Sequence, residues 1–329
     1  GDADPWVAWA ATRSLAAQQE DDGDPHASLE TIEALLDRLH GTDLAGIHLL
    51  ELHLHRLQVL MSLGRYSQVV DACTRAQVLL DRVLPSWGEF FRTTLRLEGA
   101  YCAVYLDPRP QTAERLLEAL EPVDLPGTMR FIARSVRGEL ELTRGRVRAA
   151  ALIQRVSLRY AGHWRSIMGA GSQWELYILS MCLVTDVELS ADDAVELDAG
   201  AVRARAVPLL RDALSDPASP QGAAPRQRDI PTIMAFAAAV GLSTMAAAPA
   251  GSDRRAAGAE LVATALAVGT NQTCRLLSRD YLRARTERVD ARALARAEER
   301  IGALDRARLI ARATGLARDL AGGTGRDRG

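Results

Sequence analysis

The chain has 329 residues, 48% of them hydrophobic and only 5% aromatic, with a net charge of -2. That length exceeds a minimal domain, and the apolar content is ample for a continuous core. All 40 basic residues are arginine, which excludes chemistry that needs a lysine: Schiff-base catalysis, a PLP anchor or a P-loop.

In chain order, Asp4-Pro5 supplies a cap and an N1 proline for a helix over residues 6–19. The acidic stretch 20–25 reads as a loop, and Ser28 opens a second helix that runs to His40 and stops at Gly41. Thr42 or Asp43 starts a long helix reaching Leu63, Gly64-Arg65-Tyr66 is a short turn, and another helix follows to about Val83. Ser86 and Glu89 form a capping box for the next helix, while Pro110 and Leu125-Pro126-Gly127 mark further starts. Residues 215–231, rich in Pro, Ser, Gly and Ala, read as a flexible linker. Residues 232–246 and 254–267 form another helix pair. Residues 291–320 read as one or two arginine-bearing helices interrupted by Gly302 and Gly315, followed by a flexible tail. Strand and hairpin signals do not occur as organised sets, and apolar residues recur at three and four, as in Leu49, Leu52, Val59, Leu60 and Leu63. The fold class is all-α.

The helices come in similar pairs. Gly64 and Tyr66 sit at one turn, followed by Val69, Cys73 and Ala76; Gly145 and Val147 sit at another, followed by Ala150. Between them Ala113, Leu117 and Leu120 repeat the second-helix spacing. These residues resemble the tetratricopeptide repeat (TPR), in which two antiparallel helices cross at small residues with a glycine at the turn. The tryptophan and final proline of the consensus are absent. Gly64 and Gly145 lie 81 residues apart, two repeats of ~40 against the ~34 of a standard repeat. The pattern is closer to the helical sensor regions of large actinobacterial transcription activators. The resemblance implies TPR-like helix pairs stacked into a right-handed superhelix. It divides the chain into capping helices (1–41), repeats (42–214), the linker (215–231) and a C-terminal helical segment (232–329).

The four cysteines, Cys73, Cys102, Cys182 and Cys274, have no C-x-x-C spacing, so buried reduced thiols are expected and no structural zinc. There is no run of about 18 consecutive apolar residues, and residues 1–6 lack the basic start and apolar stretch of a secretory signal; no membrane span and a cytoplasmic location are expected. Residues 274–329 carry 14 Arg against 8 Asp and Glu, so the rest of the chain carries -8. In that segment Arg292, Arg296, Arg300, Arg306 and Arg308 are interleaved with Glu298, Glu299 and Asp305. That is the pattern of an ion-paired helix, with no aromatics for base stacking, and nucleic-acid binding is not expected.

His48, Glu51 and His55 share a helix face. The two histidines are seven apart, about 10.5 Å of rise, which disfavours a shared metal ion. Asp192-Asp193-x-x-Glu196 resembles a magnesium motif, but Ser190 three residues before Asp193 makes a capping box the simpler account. The expected function is a non-catalytic scaffold, the sensor or assembly module of a bacterial regulator, that binds a protein or peptide on its concave face. Recognition falls to His48, Glu51 and His55, with Arg96, Arg134 and Arg137. No catalytic residue, metal or cofactor is implied. The alternative is a small-molecule-sensing regulatory protein with a pocket near Trp164 and Trp174, in the glycine-rich stretch that interrupts the repeats.

Overall fold

The computed structural model describes residues 4–39, 46–83, 88–106, 111–121, 125, 127–168, 173–215, 229–270, 272 and 274–322, with the backbone alone at 83, 90, 105, 127–129, 161–168, 173, 174 and 215. The described residues form fifteen α-helices and no strand. They divide into two compact units, Gly1–Thr143 and Arg144–Gly329.

The first unit contains α1 (Pro5–Asp21), α2 (Pro25–Leu39), α3 (Gly46–Ser62), α4 (Tyr66–Val83), α5 (Glu89–Leu106), α6 (Gln111–Glu118) and α7 (Gly127–Thr143). Asp4 caps α1 as expected, accepting the Trp6 N–H at 2.9 Å. The loop before α2 is shorter than the sequence suggested. Asp24 accepts the Ala27 N–H at 3.0 Å and Pro25 takes the first helical position, so α2 starts three residues before Ser28. Ser28 is instead buried inside the helix and donates to Glu20 Oε1. The Ser86 half of the expected capping box, Pro110 and residues 40–45 lie outside the described residues, as do 216–228 of the linker and the tail from 323.

The turn glycine between α3 and α4 takes a left-handed conformation. Gly64 has φ 69°, its N–H donates to Met61 O and the Arg65 N–H donates to Leu60 O, both at 2.9 Å. This closes α3 in a Schellman motif that a Cβ would strain. Gly145, at the second turn, has φ 74°. Val69, Cys73 and Ala76 on α4 and Ala113 and Leu117 on α6 are all buried, as is Leu120 in the turn just past α6. Successive helices α1 to α4 pack on one another, and α5 packs on α4, α6 and α7. A continuous core of Ile32, Leu50, Leu57, Leu60, Leu80 and Leu95 runs through them.

The second unit contains α8 (Val147–Met168), α9 (Gln173–Asp186), α10 (Ala191–Glu196), α11 (Ala199–Ser215), α12 (Ile230–Ala247), α13 (Asp253–Val268), α14 (Arg279–Ile301) and α15 (Arg306–Gly322). Here the packing departs from a stack of neighbouring pairs. α12 is covered by α9, α11, α13 and α14, and α11 also reaches α15. The reason is composition: α12 is apolar on every side, buried continuously from Thr232 to Met245, and must be enclosed all round. It is the one described helix long and apolar enough to cross a membrane, and 83% of it is buried inside this unit.

α12 and α13 cross at two glycines. A Cβ on Gly241 would lie 2.6 Å from Gly258 O, and one on Gly258 would lie 2.8 Å from Gly241 O. The two backbones touch, which only glycine allows. The predicted break at Gly302 ends α14, whereas Gly315 lies inside α15. A kink at Asp290 divides α14, and Asp290 caps its second half by accepting the Ala293 N–H at 2.9 Å.

Candidate functional site

The three residues singled out on α3 do lie along one side of that helix, but they are already engaged by α1. Trp6 and Trp9 stack with ring centroids 4.8 Å apart, and the His48 ring packs on both, at 4.6 and 4.4 Å. Glu51 Oε2 lies 3.6 Å from His48 Nδ1 and 3.8 Å from Arg13, whose guanidinium sits over the Trp9 ring. One turn further on, His55 Nε2 lies 2.5 Å from Glu20 Oε1, which also accepts from Ser28. His48 with Glu51, and His55 with Glu20, are therefore two separate clusters that join α3 to α1. Among the described residues no group of three His, Cys, Asp or Glu is placed to hold a metal ion.

His53, on a different side of α3, has its pKa lowered by burial and by the charges of Arg56 and Arg75, and is neutral at physiological pH. Trp6 and Trp9 were not foreseen as partners of His48. Their signal was the spacing Trp6, Trp9, Arg13, one face of α1.

Arg137 is exposed and pairs with Glu121 at 2.7 Å. Arg134 is half-buried on the same helix. Trp164 and Trp174 fall on α8 and α9, with side chains outside the described residues.

Arg96 stands apart. It lines an open cleft of about 600 Å3 enclosed by α4, α5 and α6. Val70, Cys73, Thr74, Gln77 and Val78 form the α4 wall; Leu95, Arg96, Gly99, Ala103 and Leu106 form the α5 floor; Thr112 and Leu116 close it from α6. The α5 residues recur at intervals of three and four, so a single helical stripe carries the floor. Gly99 deepens it: a Cβ there would find only Leu116 Cδ1, at an ordinary 3.7 Å. Among the described residues Arg96 is the only charged one on the lining, and its ion pair with the exposed Glu89 is loose at 3.6 Å.

The acid–base character of the cleft follows from burial. Burial, with the nearby Glu98 charge second, pushes the Cys73 thiol up to about 12, so it is protonated and a poor nucleophile. Glu98, on α5 but not on the lining, has a buried Oε2 with no hydrogen-bond partner among the described residues, and burial raises its carboxyl to about 7.

In the second unit the charged residues are largely spent on structure. Glu175 is fully buried and pairs with Arg205 at 2.6 Å, and Asp186 pairs with Arg155 at 2.9 Å. Glu260 on α13 receives Arg300 from α14 at 3.1 Å and Arg312 from α15 at 2.5 Å. Arg283, Arg285 and Arg308 likewise meet Glu298, Glu188 and Asp305. Ser190 caps α10 by accepting the Asp193 N–H at 3.2 Å, while Asp193 and Glu196 both pair with Arg148. The capping account of that acidic motif is the one the geometry supports. All four cysteines are buried, and none forms a disulfide.

No protein-family model, curated protein or solved structure matches the chain, so function has to be read from the site alone.

Proposed function

We propose that this protein is a non-catalytic binding module of the TPR-like, helical-repeat kind, with the α4–α5–α6 cleft as its ligand site. One observation carries the reading: a cleft of about 600 Å3, apolar apart from one arginine and a few hydroxyl and amide groups. Ligand sites typically measure roughly 300–1,000 Å3, with mostly apolar walls and a small number of polar groups that fix orientation. The lining supplies no activated nucleophile among the described residues, since the Cys73 thiol is held protonated. The stacking of repeat pairs into a right-handed superhelix, and a regulatory role in a larger bacterial system, belong to this proposal and rest on the repeat resemblance.

The test is thermal unfolding of the protein against a panel of small apolar compounds. A compound that binds the folded state raises Tm as its concentration passes Kd. Thr74→Trp fills the cleft from its exposed rim and should abolish that rise. A rise that survives the substitution means that the ligand binds elsewhere.

A second reading, a protein or peptide partner, is favoured by α1. Trp6, Val7 and Leu15 are about half exposed there, beside Trp9, His48 and Arg13. Exposed tryptophan and arginine are the residue types that anchor protein interfaces. A pull-down in which one protein is retained by the native chain and lost with Trp6→Ala would establish this surface. Equal retention by both would dismiss it.

A further inference from the structure

We infer that the cleft takes a free, medium-chain aliphatic carboxylate, with its chain along the α5 floor and its carboxylate on Arg96. This rests on the cleft being the binding site, and adds the chemistry of the occupant.

Shape comes first. The floor runs from Arg96 to Leu106, ten residues of helix or about 15 Å. An extended hydrocarbon built from ~1.5 Å bonds advances about 1.25 Å per carbon, so roughly twelve carbons span that length. The apolar base of the cleft is formed by the buried Leu95, Gly99 and Ala103 at its bottom and the half-exposed Leu106 at one end, with Val70 and Leu116 beside them. The absence of a side chain at Gly99 keeps the middle of the base open.

The walls argue against a peptide. The α4 wall and the α5 floor as far as Gly99 are helix interior, whose backbone N–H and C=O groups are used within the helix. An extended peptide lying here would bury main-chain polar groups with few partners, at a cost of about 1–3 kcal/mol each. A hydrocarbon chain has no such groups to satisfy.

Charge sets the head group. Arg96 stands at one end of the floor, where its aliphatic stem can cover the chain while the guanidinium stays at the mouth. Its pair with Glu89, loose and solvent-exposed, is worth little and can be exchanged for a ligand carboxylate. A guanidinium binds a carboxylate through two parallel hydrogen bonds, a geometry that suits this head group over an alcohol or an ammonium. Neighbouring acid does not oppose it: Glu98 lies off the lining, and its burial keeps a large share of it protonated at neutral pH. The occupant is the free acid because an ester or an acylated protein carries no charge at the carboxyl end and offers Arg96 nothing to exchange for its loose pair with Glu89.

The test is isothermal titration of the full chain with decanoate, decanol and decyltrimethylammonium. Decanoate is expected to bind one site, and Arg96→Gln should weaken it by about tenfold or more, the scale of a charged hydrogen bond, while decanol binding is unchanged. Thr74→Trp should abolish binding of both, with Val78→Trp as a second cleft-filling variant should the first fail to fold. If decanol or the cation binds as tightly as decanoate, or if Arg96→Gln has no effect, the carboxylate assignment is overturned while the cleft remains the binding site. Decanoate binding that persists in both cleft-filling variants, or no binding of any of the three probes, overturns the inference and the cleft reading together.

Discussion

Individual glycines in this protein do opposite jobs, and their neighbours tell them apart. Gly241 lies against the backbone of Gly258, so Gly241→Ala must push α12 and α13 apart and should cost about 3 kcal/mol, the upper end of overpacking. A methyl group at Gly315 would have nothing within 4 Å of it, and Gly315→Ala should stabilise α15 by about 0.5–1 kcal/mol. Urea denaturation of the two variants checks both signs. Glu98 couples the stability of the first unit to pH. Its carboxyl rises from an ordinary 4.5 to about 7 through burial, so the folded state binds the proton more tightly than the unfolded chain. That contribution is complete below about pH 4.5 and is lost as pH rises through 7. Between pH 5 and pH 8 the native protein should therefore lose about 2–3 kcal/mol relative to Glu98→Gln, measured as the change in their stability difference. A difference that stays flat across that range would show that Glu98 is solvated.

At the scale of elements, legibility depended on whether a helix has two distinct faces. α4 does, and Val69, Cys73 and Ala76, read from the sequence as second-helix positions, form its buried side. The ends of helices were also legible where the cap is local, as at Asp4, Gly64 and Ser190. Ser28 misled because Asp24-Pro25 is a stronger start three residues earlier, and one serine cannot show which of two caps wins. The α5 stripe was present in the sequence at Leu95, Gly99, Ala103 and Leu106, but a stripe of small and apolar residues reads equally as core. Only the placement of α4 and α6 reveals that this one is left partly open. The α13–α14–α15 junction makes its own prediction. Burial works against the Glu260 charge, but the hydrogen bond and charge of Arg312, with those of Arg300, hold its carboxyl below the ordinary value. A lowered carboxyl stabilises above its unfolded pKa and loses that contribution as pH falls through the folded one. Glu260→Gln should cost about 1–2 kcal/mol at pH 7, less than a fully buried pair because both arginines are half exposed, and the cost should shrink in acid. Urea titrations of the two proteins at neutral and acid pH check both the size and the trend.

At the scale of the whole molecule, two compact units with separate cores predict two unfolding events. Leu57→Ala removes a fully buried side chain from the first core and Phe236→Ala one from the second, each worth about 3–5 kcal/mol. Calorimetry should show each substitution moving a different transition; a single transition moved by both would mean the units unfold as one.

Composition and contacts a few residues apart are enough to establish that the chain is helical, where most helices turn, and that lysine chemistry is excluded. Which residues are spent and which remain available depends instead on the packing of helices distant in sequence. His48, Glu51 and His55 looked free on α3 and are held by α1, while Arg96, named in the sequence only alongside Arg134 and Arg137, is the one on an apolar cleft. A side chain's partners on other helices are set by how those helices pack, and periodicity along one helix carries no record of them.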